Sequence, residues 1–130
     1  MPEKVYTTPR IDKLGVRPGA RVAVVGVDDA AFARELATRT DRISPGPGSD
    51  FDVVFYAAAG LADLGRIREF RAWIKPNGAV WVLRRKGKAA TIKDTELIQA
   101  GLDAGMVDNK IASFSDDLSA MRFVIRLRDR

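Results

Sequence analysis

Side chains able to do chemistry gather at a few places in this 130-residue chain. None of those places holds a histidine or a cysteine, because the chain has neither. That removes the commonest general base, the commonest metal ligand and the thiolate nucleophile. A catalytic dyad would have to be a serine–lysine pair, and Lys75 and Lys86 have no recognisable serine partner in the sequence. Asp116 and Asp117, flanked by Ser115 and Ser119, bring carboxylates together. The same residues suit a hairpin turn and nothing nearby adds ligands, so a turn is expected there and no metal.

What remains is binding. The densest charge is Arg84-Arg-Lys-Gly-Lys88, where Arg84, Arg85, Lys86 and Lys88 could grip an anion such as a phosphate. No aromatic residue is interleaved to stack bases, and a solvated basic loop is the plainer reading. Arg122, Arg126 and Arg128 alternate with apolar residues and form a second basic feature. They suit protection of a sheet edge, or a partly open face available to RNA, an acidic protein or a second copy. Both basic features on one surface would favour nucleic acid. The turn Gly26-Val-Asp-Asp29 follows an apolar run and could touch a ligand at a helix N-terminus. Two aspartates there repel phosphate, so a plain helix cap is favoured, with a ribose or amine contact left to Asp28. In Ala57-Ala-Ala-Gly60, the small residues Ala58 and Gly60 leave room either for a ligand or for close helix packing. Trp73 and Trp81 lie at core spacing and are assigned to packing.

These residues must be positioned by an α/β domain. Residues 1–20 form a lead-in broken by Pro2, Pro9 and Pro18, with one helical turn between Pro9 and Leu14; residues 21–130 form a single domain. Arg21 to Gly26 and Phe51 to Ala58 are apolar on both faces, as central strands are. Between them lie a helix with Phe32 and Leu36 inward, a short edge strand at Arg42 to Ser44, and the loop Pro45 to Ser49. The spacing predicts a helix over Ala62 to Lys75, stopped by Pro76-Asn-Gly78, and a third central strand over Ala79 to Leu83. Thr91 with Asp94 resembles a capping box opening a helix that runs to Ala104, with Gly105 as its C-terminal cap. Val107 to Phe114 and Met121 to Leu127 make a hairpin. The result is a three-layer, mostly parallel sheet of five or six strands, order 2-1-3-4-6-5, with an antiparallel C-terminal hairpin. Its ligand crevice lies where the order reverses, at the carboxyl ends of strands one and three, lined by Gly26, Val27, Asp28 and Ala57 to Gly60.

Three stretches, Lys13-Leu-Gly-Val-Arg-Pro-Gly-Ala-Arg-Val22, Phe51-Asp-Val-Val54 and Ile74-Lys-Pro-Asn-Gly-Ala-Val80, resemble class I S-adenosylmethionine-dependent methyltransferases. The chain is also similar to a family of short bacterial proteins of unknown function, notably at Thr91-Ile-Lys-Asp-Thr-Glu-Leu-Ile98 and Gly105-Met-Val-Asp-Asn-Lys110. The first resemblance implies a Rossmann-like fold and makes Gly26, Asp28, Ala58 and Gly60 the candidates for holding S-adenosylmethionine. The chain departs from that family's pattern in two ways. The turn after strand one has a single glycine, and Ile43-Ser-Pro-Gly-Pro-Gly lacks the acid that would hold the cofactor ribose. It is also shorter than a usual methyltransferase by at least one strand–helix unit.

The expectation is therefore a non-catalytic Rossmann-like domain that binds a protein partner or an anionic ligand and needs no cofactor. A small divergent methyltransferase is one alternative, and a nucleic-acid-binding module on the basic edge is the other. A net charge of +5 permits nucleic acid or an acidic protein as partner, and a homo-oligomer is compatible. No apolar run reaches the roughly 20 residues that span a bilayer. Met1-Pro-Glu-Lys has no apolar signal core, so a cytoplasmic setting without membrane contact is expected.

Overall fold

The computed structural model describes residues 8–130. Strands β1 (Val22–Val25), β2 (Ile43–Ser44), β3 (Phe51–Ala57), β4 (Ile74–Arg85), β5 (Val107–Ser113) and β6 (Leu118–Val124) join in one sheet of order β2-β1-β3-β4-β6-β5. The first four run parallel, and β6 pairs antiparallel with both β4 and β5. This is the order expected from the sequence. It follows from strands that are apolar on both faces and must each be covered by helix.

Period-two alternation divides the apolar residues between two layers. On one face Val54, Val80, Val82, Met121 and Phe123 pack under α3 (Ile67–Arg71) and α4 (Asp94–Asp103), which contribute Ile67, Phe70 and Leu97. On the other, Val53, Phe55, Trp81 and Leu83 pack under Phe32 and Leu36 of α2 (Ala30–Ala37). That second layer is completed by the lead-in. Ile11 of α1 (Arg10–Lys13), Leu14 and Val16 are buried in it. The Trp81 indole N–H donates to the Leu14 carbonyl at 3.0 Å. Ile11, Leu14, Val16 and Ala20 thus make the lead-in a contributor to the core, while residues 1–7 lie outside the described residues.

Three local expectations are corrected. The helix over 62–75 is instead a 3-10 turn (Leu61–Arg66) running into the short α3, and β4 begins at Ile74. The Phe51 N–H donates to the Trp73 carbonyl at 3.0 Å, drawing this segment into the sheet. Pro76-Asn-Gly78 is then accommodated where the β3–β4 register shifts, as proline in a strand requires. Gly78 is needed there because a Cβ would lie 2.9 Å from the Phe51 carbonyl. The capping box at Thr91 and Asp94 does not form. The cap residue of α4 is Lys93, whose N–H donates to Glu96 at 2.8 Å, and Thr91 Oγ1 donates to the Ala59 carbonyl at 2.6 Å. Finally, β6 starts at Leu118 and ends at Val124, so Arg126 and Arg128 lie beyond the strand.

The turn at Ser115 to Asp117 is as expected. Ser115 Oγ accepts the N–H groups of Asp117 and Leu118, and no group of acidic residues among the described residues is placed to hold a metal. Among the same residues no helix is long and apolar enough to cross a membrane.

Candidate functional site

The carboxyl end of the sheet carries the residues singled out from the sequence. After β1 the chain turns at Gly26 with φ +73°, a left-handed conformation that costs glycine little. A Cβ there would meet only the Ala57 carbonyl, at 3.9 Å, so the backbone is open to approach. Asp28 is exposed. Asp29 is the cap of α2, accepting the Phe32 N–H at 2.9 Å. That hydrogen bond, with the charge of Arg10 beside it, holds the Asp29 carboxyl below its ordinary value. Arg10 also donates to Glu35 at 3.0 Å and to the Phe114 carbonyl at 2.9 Å, and lies over the Phe114 ring at 4.6 Å. The start of α2 is therefore already engaged by protein groups.

The end of β3 folds back on itself. The Asp63 carboxylate accepts the N–H groups of Ala59 at 2.8 Å and Gly60 at 3.2 Å. Ala58 is buried in the core, so it is a packing residue, whereas the position above Gly60 is open. Gly26, Asp28 and Gly60 thus face outward and Ala58 does not. At the end of β2 stands Ser44, whose hydroxyl accepts the Gly46 N–H at 2.9 Å. The backbone at Gly26 is open, but no carboxylate stands at the end of β2 to hold a ribose.

The basic run is split by the strand that carries it. β4 continues through Arg85, so Arg84 is a strand residue and not part of a solvated loop. Its side chain is 7% exposed; it donates to the Ile92 carbonyl at 3.1 Å and pairs with Asp94. Burial of a guanidinium demands such partners, and having them Arg84 is committed to holding the 86–93 segment against the sheet. Arg85 and Lys88 are exposed, Lys88 in a single 3-10 turn (Gly87–Ala89). Lys86 does have a serine partner, contrary to the reading of the sequence. Its ammonium donates to Ser113 Oγ at 2.9 Å, and its N–H donates to the Asp117 carbonyl at 3.1 Å. Lysine acts as a base where desolvation strips its proton. Ser113 is exposed and Lys86 half-buried, so the pair is a tether between loop and hairpin.

Between these tethers lies an open cleft of about 650 Å³. Leu61 and Ile111 supply exposed apolar surface and Arg85, Lys86 and Lys93 positive charge, while the two carboxylates in the lining are engaged, Asp94 with Arg84 and Glu96 with the Lys93 N–H. Leu61 is 53% and Ile111 55% exposed. No local motif announces this cleft, because its apolar residues come from three separate segments. The second basic feature lies elsewhere. β6 runs antiparallel to β4, with Leu118 beside Arg85 and Val124 beside Ala79. Arg126 and Arg128 therefore lie at the amino end, away from Arg85 and Lys88, and the two features do not share one surface.

No protein-family model matches the chain, and no curated protein matches it in sequence. Solved structures do. A methyltransferase dependent on S-adenosylmethionine from Aquifex aeolicus superposes with a TM-score of 0.65 at 12% identity, over 89% of this chain and 87% of that one. The fold is that of the class I methyltransferases. Precorrin-6y C5,15-methyltransferase from Geobacter metallireducens matches with a TM-score of 0.64 at 11% identity, over 90% and 86% of the two chains. Magnesium protoporphyrin IX methyltransferase from Synechocystis, with bound S-adenosylmethionine, matches at 0.65 and 10%, over 90% and 74%. In this chain six residues, 45–50, lead directly from β2 to β3 without a helix.

Proposed function

We propose that this methyltransferase-like domain binds an amphipathic anion, a carboxylate or phosphate on an apolar body, in the cleft at the carboxyl end of β4. The observation that carries the reading is the cleft itself, with exposed Leu61 and Ile111 beside Arg85, Lys86 and Lys93. Each 100 Å² of apolar surface covered there is worth about 2.5 kcal/mol, and the basic groups orient the charged end. Arg84 contributes by fixing Ile92, not by touching the ligand.

The test is calorimetry with phenyl phosphate. The intact chain binds it with 1:1 stoichiometry and more tightly than inorganic phosphate, and the double variant Arg85→Gln/Lys86→Gln weakens the binding of both. Equal affinity for both anions would remove the apolar half of the reading.

A second reading, a small divergent methyltransferase, is supported by the open left-handed turn at Gly26. S-adenosylmethionine would supply an electrophilic methyl group there. The residues do not fit its chemistry, since Ser44 stands where a ribose-holding acid would be needed. A thermal shift with S-adenosylmethionine or S-adenosylhomocysteine discriminates the two. Ligand at 100 times its dissociation constant stabilises by about 2.7 kcal/mol, and the second reading is abandoned if neither nucleoside moves the transition.

A further inference from the structure

The opposite end of the sheet holds a second cavity, of about 530 Å³ and mostly polar lining. Six basic side chains line it: Lys13, Arg17, Arg42, Lys75, Lys110 and Arg122. They come from the α1 segment, the approach to β2, and strands β4, β5 and β6, so this grouping is a product of the fold and not of a charged run. The two carboxylates in the same lining are already engaged. Asp12 pairs with Arg39, and Asp52 accepts the Arg21 N–H at 2.8 Å and pairs with Lys75 at 3.0 Å. Among the described residues the other five cations have no carboxylate within ion-pairing distance. Lys110 donates to the Lys13 carbonyl at 2.9 Å and Arg42 to the Gly19 carbonyl at 3.3 Å, and the Arg42 charge also helps hold the Asp52 carboxyl down.

Arg122 is the decisive member. It stands beside Trp81 in the β4–β6 ladder, half-buried, and its guanidinium makes no hydrogen bond to any described residue. Burial, and then the like charge of Arg130, press its pKa downward from the ordinary arginine value. A guanidinium keeps its proton, so a bound anion would relieve this like-charge crowding. The rim of the cavity is firm: the Trp81 indole is fixed to the Leu14 carbonyl, and Arg39 to the Val16 carbonyl at 3.0 Å.

We propose that this cavity is a binding site for a small polyanion bearing two or more phosphate groups, held by Arg122 with Lys13, Arg17 and Lys110. Its volume is that of small-molecule sites, which run to about 300–1,000 Å³. Four cations without a carboxylate partner among the described residues, Lys13, Arg17, Lys110 and Arg122, suit a ligand that carries several negative charges. Arginine and lysine together meet phosphate oxygens with both the planar fork and the point charge. The site lies at the amino ends of the parallel strands, opposite the carboxyl-end cleft, and does not rest on the function assigned to that cleft.

The test uses the intact chain and inorganic tripolyphosphate. Calorimetry at low salt gives one site, weakened steeply as salt rises. Arg122→Gln lowers affinity about tenfold, as expected for loss of a charge-assisted contact. Lys110→Gln, at an exposed residue whose loss leaves the core intact, also weakens binding. Arg34→Gln, on the outer side of α2, leaves it unchanged. The Trp81 indole N–H resonance moves on titration, and this readout does not depend on any variant folding. The proposal is overturned if tripolyphosphate does not bind at low salt, or if neither Arg122→Gln nor Lys110→Gln weakens it. Loss of binding in Lys86→Gln instead would move the anion to the other end of the sheet. A single-stranded RNA oligomer bound in preference to tripolyphosphate would replace the small ligand with a nucleic acid.

Discussion

Replacing Arg84 with methionine separates a ligand-binding residue from a loop clamp. Methionine keeps much of the apolar stem and removes the guanidinium. The lost groups are the hydrogen bond to the Ile92 carbonyl at 3.1 Å and the pair with Asp94. A hydrogen bond involving a charged group is worth about 1.5–3 kcal/mol net, and a buried carbonyl left unpaired costs about 1–3 kcal/mol. Against this, removing a buried charge relieves its desolvation, which in fully buried pairs can cancel the attraction. Two observations decide the balance. The Asp94 side chain is 63% exposed, so the pair sits at the mouth of the cleft and is worth under about 1 kcal/mol. Ile92 is 3% exposed, so its carbonyl has little water to turn to. The carbonyl term prevails, and Arg84→Met loses about 1–3 kcal/mol, a fall in Tm of roughly 4–10 °C. Arg85→Gln, one residue on and exposed, changes Tm by less than about 2 °C. Urea and thermal unfolding measure both, and limited proteolysis reports whether residues 86–93 have loosened. The reasoning fails if Arg84→Met unfolds no earlier than the parent chain and its loop stays protected.

Other consequences follow from packing and charge. Alanine at Gly101 should help α4 by about 1 kcal/mol on helix propensity, yet its Cβ would press into the buried Phe123 ring. Overpacking costs about 1–3 kcal/mol and wins, so Gly101→Ala lowers the urea midpoint, while Gly65→Ala, with nothing within 4 Å, raises it. Asp29→Ala costs about 1 kcal/mol through loss of the α2 cap, and Asp29→Asn, still able to accept the Phe32 N–H, costs less in the same unfolding assay. Asp52 also titrates below its ordinary value. Burial opposes this, but the Arg21 N–H and Lys75 outweigh it. For Asp29 and Asp52 the folded pKa lies below the unfolded one. Their stabilisation is therefore complete above the ordinary 3.8 and is lost as pH falls through the depressed values. Tm measured against pH is accordingly flat in this respect above about pH 5 and drops below pH 4, less steeply in Asp52→Asn; a drop of the same steepness in that variant contradicts the assignment.

The strand order was legible because β1, β3 and β4 are apolar on both faces, a pattern that only a doubly covered parallel sheet satisfies. The start of β4 was not. Pro76-Asn-Gly78 is locally a helix stop, and only the non-local pairing of Phe51 with Ile74 makes it an irregularity inside a strand. Arg84 was misplaced for a related reason, although the sequence held the signal. Val80, Val82 and Arg84 share one parity, and a strand carried two residues further turns Arg84 inward and Arg85 outward. Ser113 beside Lys86 and the grouping of Leu61, Ile92 and Ile111 had no such signal. Each depends on how β4, β5 and β6 register, which no local spacing encodes. The α1 segment offered a hint, since Ile11, Leu14 and Val16 are apolar and only the first helix and the lead-in are left to cover that face of the sheet.

Titration of the uniformly ¹⁵N-labelled chain with phenyl phosphate, followed by amide chemical shifts, tests the carboxyl-end cleft most directly. Binding there predicts saturable 1:1 shifts concentrated at Leu61, Lys86, Gly87, Ile92 and Ile111, with Lys13 and Arg122 unmoved. Shifts confined to Gly26, Val27, Asp28 and Gly60, or no saturable shift at millimolar ligand, would contradict it.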